Sequence, residues 1–356
     1  MKNLDYLVSQ GRKFLLDDQN PFLISMEDVQ QISRLGVLLY TFFKATMSGL
    51  LKDRTLAHDL LFDGLEAAYG NLLWQHPERH PTLIRVDLMV DINGAWKIAE
   101  IDPSNKHGMG FALACRYESG AGERQKLLSL LAPYVTSDVI IVLGRKESFY
   151  TREQKFFAGK LAEYTGKKVV VVHEDNLTLK IPDETLILDF PFCGEDAWRV
   201  LSRQFCEKPE SFINPPRHAL GGKALMTLPY EHAEWLEEAG MERVEIEELK
   251  TYLPPTYSGP FVGKEVFSSG AKGVFFDAVD KKTVFQKYIE QRAFRLNGEC
   301  RFIRTAAHFV GSSLGELTVS ATTTLPVHGG NDTMNYHVGI GTPTPPVDFS
   351  RGVFFD

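Results

Sequence analysis

The spacing of apolar residues changes several times along the chain, and each change predicts an element. The first 80 residues read as helical. Ile32 and Leu35 lead into an apolar stretch from Val37 to Phe43, and Leu56, Leu60, Leu61, Leu65 and Ala68 recur at a helical period of about 3.6. From Leu83 the period shortens. LIRVDLMVDINGAWKIAEID (83–102) predicts two strands folded about Asn93 and Gly94, a pair that tolerates the positive φ angles of a tight hairpin turn. Residues 121–134 then predict a helix, and SDVIIVLG (137–144) a buried strand. TREQKFFAGKLAEYTG (151–166) predicts a helix with Thr151 as N-cap, Glu153 in the first turn and Gly166 at the stop. KKVVVVHEDNL (167–177) and TLILDFPF (185–192) predict two more strands. Strand, helix, strand in this order implies a parallel sheet with a right-handed crossover, hence a small α/β lobe. Helices return after Asn214, Pro215 and Pro216, including Tyr230 to Ala239, and LPPTY (253–257) reads as a rigid loop. PFVGKEVFSSGAKGVFFDAVD (260–280) predicts two strands joined by a Gly/Ser loop, and 283–291 and 300–311 predict further strands. The segment from Leu325 is rich in Gly, Pro and Thr and carries no clear period.

Composition narrows the class. The 356 residues hold 46 Asp plus Glu and 39 Lys plus Arg, a net charge of −7, and are 44% hydrophobic. That is an ordinary soluble globular composition, long enough for two or three lobes. The mild acidity gives no support to a nucleic-acid or membrane partner. No run of about 18 apolar residues predicts a bilayer span. The N-terminal stretch carries early acids and lacks the apolar core of a secretory signal. Cys115, Cys193, Cys206 and Cys300 never form CxxC, which argues against a zinc site and a dense disulfide framework. A reducing, cytoplasmic setting is expected.

Candidate chemistry starts with carboxylates. Asp87 precedes the turn, and Glu100 and Asp102 follow it two residues apart, on one strand face. Pairing about Asn93 and Gly94 brings position 87 to position 100, so the oxygens converge as a hard cation such as magnesium requires. A solvated acidic face is the plain alternative. Arg85 shares the face of Asp87, either as a simple ion pair or as a holder of a phosphoryl group. Lys264 precedes a small-residue loop, Ser268 to Gly273, which either closes over phosphates through backbone N–H groups or is only a turn. Lys223 follows a Gly pair, as a phosphate ligand or a surface lysine. FQKYIEQ (285–291) either presents backbone groups to an adenine or is just a strand. P-loop, GxGxxG, GxSxG and HExxH patterns are absent. His107, His308, His328 and His337 read as structural or exposed.

R-x-D, a hairpin, then E-x-D resembles the magnesium signature of ATP-grasp ligases. Here it precedes the lysines and hinge, an order that resembles the circularly permuted ATP-grasp group typified by glutathionylspermidine synthase. The likeness runs over about residues 80–310. It implies an α/β fold with α+β lobes: 1–135 as N-terminal helices plus the carboxylate part, 136–215 as a small Rossmann-like pre-ATP-grasp lobe, and 216–356 as the lysine, lid and hinge part. It implies an ATP-dependent carboxylate–amine ligase working through an acyl phosphate on small-molecule, amino-acid or peptide substrates. An inactive ATP-binding regulator or partner of the same fold is the alternative. Asp87, Glu100 and Asp102 would bind two magnesium ions, and Arg85 and Arg301 the transferred phosphoryl group, with Arg304 as rival to Arg301. Lys223 and Lys264 would hold phosphates under a lid of Ser268, Ser269, Gly270, Lys272 and Gly273. Gln286, Lys287, Tyr288 and Ile289 would form the adenine hinge, and Ser104, Asn105 and His107 would face the substrate. One position departs from the family: Asp102 stands where Asn is usual. No amidase domain is present, so hydrolysis of that type is not expected.

Overall fold

A computed structural model describes residues 14–61, 67–103, 107–118, 126–145, 150–177, 181–255, 262–265, 274–275, 283–287, 289–296, 299–322 and 333–340. Its first strands are β1 (Phe14–Ile24), β2 (Leu83–Val90), β3 (Trp96–Asp102), β4 (Val139–Leu143), β5 (Val169–His173) and β6 (Leu186–Ile187). Then come β7 (Val262–Glu265), β8 (Val274–Phe275), β9 (Thr283–Gln286), β10 (Ala293–Leu296), β11 (Glu299–Val310), β12 (Ser313–Thr322) and β13 (Thr333–Ile340). The helices of ten residues or more are α1 (Met26–Lys52), α2 (Met109–Glu118), α3 (Thr151–Thr165), α4 (Glu195–Glu207) and α5 (Arg243–Tyr252).

Three sheets result. The largest runs β1-β13-β12-β11-β2-β3, with β10 joined to β11. β5-β4-β6 is parallel, as the strand–helix–strand order predicts. β8-β7-β9 is antiparallel, with Lys264 on its central strand.

The turn at Asn93–Gly94 and a bulge at Ala99 together set the register of β2 and β3: Val90 pairs with Trp96 and Leu88 with Ile98, and the shift between Asp87 and Leu88 then brings Asp87 opposite Glu100. Asp91 accepts from the backbone N–H of Asn93 and Ala95, at 2.9 and 2.8 Å, and Gly94 takes φ 88°. The pleat then divides the large sheet. Ile84, Val86, Leu88, Ala307 and Phe309 join Ile32, Leu35, Leu39 and Phe42 of α1 in the main core. A Cβ at Gly36 would sit 2.5 Å from the Phe309 ring, so glycine is what lets α1 press onto the sheet. Leu83 and Val310, on the other face, share a second core with Leu113 of α2, Ile141 of β4 and Phe157 of α3. The α/β lobe is thus packed against one end of the large sheet. Beyond that end, the same face is polar.

Several expectations need correction. The N-terminal region is not wholly helical, because β1 pairs in parallel with β13. Thr151 does not cap α3: Tyr150 holds that position without a side-chain cap bond, and the Thr151 hydroxyl lies 3.3 Å from His173 Nε2. Gly166 does end α3, at φ 69°. β6 covers only Leu186 and Ile187, less than the predicted 185–192. α2, β12 and β13 are additional elements. Among the described residues, no helix is long and apolar enough to cross a membrane.

Candidate active site

The hairpin places Asp87 directly opposite Glu100, and Arg85 opposite Asp102. On the other side of β2, Arg85 pairs with His308 of β11, and His308 in turn with Glu316 of β12. Asp102, Arg85, His308 and Glu316 therefore form one row across four strands, on one face. The next row is Glu100, Asp87, Ala306 and Thr318. Directly opposed side chains in such rows stand about 5 Å apart.

Asp87 is the electrostatic centre. It is 2% exposed. Arg85 donates to both of its oxygens through Nε and Nη2, at 3.0 and 3.1 Å, and Arg304 Nη2 donates to Oδ2. Burial pushes the Asp87 carboxyl up, but the two guanidinium groups outweigh it and hold the group well below the usual carboxylate range. Arg85 is likewise opposed by burial, yet Asp87, Glu100 and Asp102 raise it, so it stays charged. Glu100 differs. Burial and the Asp87 charge push its carboxyl up, and Lys223 and Arg85 pull it back only in part. Lys223 Nζ lies 3.9 Å from Glu100 Oε1. Three cations and three carboxylates thus meet on one partly buried patch.

Distant segments fix this geometry. Asn214, at the exit of the α/β lobe, accepts from the N–H groups of Thr82 and Leu83 at 2.9 and 3.0 Å, and donates to the Pro103 carbonyl at 3.2 Å. It ties the start of β2 to the end of β3. The turn bearing Lys223 sits beside the same strand end, since a Cβ on Gly221 would lie 3.9 Å from Asp102 Oδ1. Glu153 of α3 accepts from Gly108 and Gly110 N–H at 2.9 and 2.8 Å, anchoring the chain that follows β3. His107 is buried and stacks on Tyr150 with ring centroids 3.9 Å apart.

The remaining predicted residues fall in different places. Alternation along β11 puts Arg301 on the face opposite Arg304, away from Asp87. Arg304, the rival, is the residue brought to the carboxylates. Lys264 and Gln286 lie on paired strands of the small antiparallel sheet, and β9 approaches the Lys223–Thr227 turn. Lys287 is exposed and its N–H donates to the Pro255 carbonyl at 2.6 Å, while Ile289 is half-buried. The chain after β9 is bonded back to the hairpin, through Ile92 N–H to Glu290 and Arg292 N–H to Val90. Ser104, Asn105, Ser268, Ser269, Gly270, Lys272, Gly273 and Tyr288 lie outside the described residues. Residues not foreseen as part of the site are Asn214, Glu153, Tyr150 and His308. Only His308 had a sequence signal: the i, i+2, i+4 spacing of Arg304, Ala306 and His308 puts it on the arginine's face.

Among the described residues, no three His, Cys, Asp or Glu close around a cation position. Both Asp87 oxygens accept from guanidinium groups. Magnesium, however, is usually held by one or two carboxylates together with substrate phosphates and water. Asp87 and Glu100 are adjacent donors of the right type, so the residues fit such an ion arriving with a polyphosphate.

No family model matches the chain. No curated protein matches it. Among solved structures, it is similar to the apo form of a glutathione synthetase-like effector from Globodera pallida, with a TM-score of 0.59 and 10% identity over 96% of each chain. At that identity the likeness shows the fold alone: a mixed α/β architecture shared with a glutathione synthetase-like protein.

Proposed function

We propose that the chain is an ATP-dependent carboxylate–amine ligase with a circularly permuted ATP-grasp order. In this reading 1–135 carries the carboxylates, 136–215 is the α/β lobe, and 216–356 brings the lysines and hinge. The observation that carries it is the meeting of Asp87 and Glu100 with Arg85, Arg304 and Lys223 on one sheet face. The fold likeness to a glutathione synthetase-like protein supports it.

The chemistry follows from what these side chains can exchange. A carboxylate is a poor acyl donor, because its leaving group would be oxide. Phosphorylation gives it a good one, and the acyl phosphate is then open to an amine. Phosphoryl transfer depends mainly on positioning and on fixed charge aimed at the transferring oxygens. Arg85 and Arg304 neutralise Asp87 when no phosphate is present. With a polyphosphate in place they turn to its oxygens, and Lys223 leaves Glu100 in the same way. Asp87 and Glu100 are then released as oxygen ligands. Magnesium, when bound there, neutralises further phosphate charge. Lys264 holds a phosphate from the small sheet, and the Gly/Ser segment after it excludes water from a hydrolysable acyl phosphate.

The test is ADP release with magnesium and ATP against panels of amino acids, peptides and polyamines. Glu100→Ala should abolish ADP formation and leave circular dichroism unchanged; normal turnover would sink the assignment. Lys264→Ala should chiefly weaken ATP binding, and unchanged affinity would remove Lys264 from the site. One observation favours a second reading, an ATP-binding protein without turnover: Asp87 is fully satisfied by its own two arginines. Tight ATP binding with no ADP release for any substrate pair would select it.

A further inference from the structure

Among the described residues, two buried side-chain atoms on the face that carries Asp87 have no hydrogen-bond partner. His308 is 2% exposed, and its Nε2 has no hydrogen-bond partner. Its flanking neighbours in the row are engaged elsewhere: Arg85 with Asp87, and Glu316 with Arg116 and the Leu317 N–H. Thr318 Oγ1, two residues beyond Glu316 on the same strand face, is also buried without a partner. A buried polar atom left unpaired is destabilising, so native structures seldom keep one unless something else pairs with it.

The shape around these two atoms supplies a reason. Ala306 lies between Asp87 and Thr318 in the second row, and beside His308 on its own strand. It sits in a central strand, yet it is half-exposed, so the sheet face above it is open. Its small side chain leaves a depression walled by Asp87, Arg85, His308, Glu316 and Thr318. Gly108 lies against the His308 ring at φ 93°; a Cβ there would sit 3.2 Å from Nε2 and leave no room for a ligand atom beside it. Glu153 holds the Gly108 N–H and so fixes the loop in that position.

We propose that this depression is the pocket for the carboxylate-bearing substrate, with His308 Nε2 and Thr318 Oγ1 as its hydrogen-bond partners beside Arg85. This rests on the ligase reading above. Each imidazole carries one N–H when neutral, and a hydroxyl can rotate to donate, so both groups suit a carboxylate oxygen. The pocket adjoins Asp87 and Arg85, so an acid bound there lies within reach of a phosphoryl group on the same patch.

The experiment uses the whole chain with magnesium and ADP. Long-range ¹⁵N NMR follows the imidazole signals, with His308 assigned by their loss in His308→Gln. Acetate, glutarate and glycylglycine are added as sodium salts against sodium chloride of equal ionic strength. At least one acid should shift the His308 signals saturably, and chloride should not. His308→Leu should weaken that acid about tenfold, the size of one lost hydrogen bond to a charged group, with ADP affinity unchanged. His308→Gln should recover most of the loss. Ala306→Leu, which fills the depression while leaving the imidazole in place, should also abolish the shift. Absence of any shift with all three acids overturns the pocket, as does a His308→Leu affinity equal to wild type. ADP release stimulated by an acid that leaves His308 unmoved defeats the pocket and spares the ligase reading. An acid that shifts His308 without ever stimulating ADP release supports the pocket and defeats the ligase reading.

Discussion

Buried charge occurs in two regions of this molecule, and the partners differ in kind. Near the α/β lobe, charge is held by the backbone. Arg217 is 0% exposed and donates to the carbonyls of Leu72, Leu73, Gln75, His76 and Arg79. Burial, and then Arg79, push it down to about 10. Glu153 accepts from Gly108 and Gly110, and Glu174 from Arg145 and Gly194, all through backbone N–H groups. On the sheet face, charge is held by other side chains: Asp87 by Arg85 and Arg304, and Glu100 by Lys223. A backbone partner cannot be exchanged without moving the chain. A side-chain partner can turn to a ligand by rotating a few bonds. The first arrangement fixes the scaffold, and the second leaves the site able to respond.

The comparison is broken most directly at Arg217. Arg217→Met should cost about 4 kcal/mol, since it strands several buried carbonyls at once. Urea unfolding measures it, and a loss under 1 kcal/mol would deny that the backbone-held charge is structural. Glu153→Ala should cost about 3 kcal/mol, because two buried N–H groups lose their acceptor. Its second effect sharpens the contrast: it should weaken carboxylate binding and leave ATP affinity near wild type, since Glu153 anchors Gly108 and not the phosphate cations. Isothermal titration separates the two.

Legibility in the sequence followed the range of the interactions. The expected pairing of Asp87 with Glu100 is found, but by compensation. Beside the turn Val90 pairs with Trp96, one residue off the register of a two-residue turn, and the bulge at Ala99 restores it, which no local pattern announces. The apolar runs of β4 and β5 were readable locally, as was the strand that carries Lys264. β1 was not, because its LLDDQNPF stretch has no period of two and its partner β13 lies some three hundred positions away. Arg217, Asn214 and Glu153 were silent for the same reason: an isolated polar residue gives no sign of which distant carbonyl or amide it will meet. The choice between Arg301 and Arg304 needed the pairing of β11 with β2 as well as alternation, and only alternation is written in the sequence.

His308 belongs to neither set, and pH exposes it. Burial, with Arg85 beside it, pushes His308 down to about 3, against about 6.5 in an unfolded chain. Between those values the unfolded chain binds the proton and the folded one does not. Stability therefore falls as pH drops from about 6.5 toward 3, by up to about 1.4 kcal/mol per pH unit. Asp87 adds a loss of the same sign once pH enters the ordinary carboxylate range. Glu100 and Glu316, pushed up first by burial, act in the opposite sense. The difference between wild type and His308→Gln cancels these common contributions. In urea unfolding from pH 6.5 to 4.5 the variant should show the shallower slope, and parallel curves would mean that His308 is not held neutral in the fold.

The smallest expected effect falls on Asp102, where the sequence departs from the magnesium signature it resembles. It is half-buried at the strand end, opposite Arg85. Asp102→Asn keeps the shape and one acceptor oxygen, and removes a negative charge from the patch proposed to receive a polyphosphate. Stability should change by less than about 0.5 kcal/mol, as for an isosteric substitution at a half-buried position. ATP affinity should rise by about threefold, the gain from removing one partly screened like charge at several ångströms. ADP formation should persist, since Asp87 and Glu100 remain. A variant that loses both stability and turnover would place Asp102 among the fixed charges, and would move the boundary between scaffold and site to the end of β3.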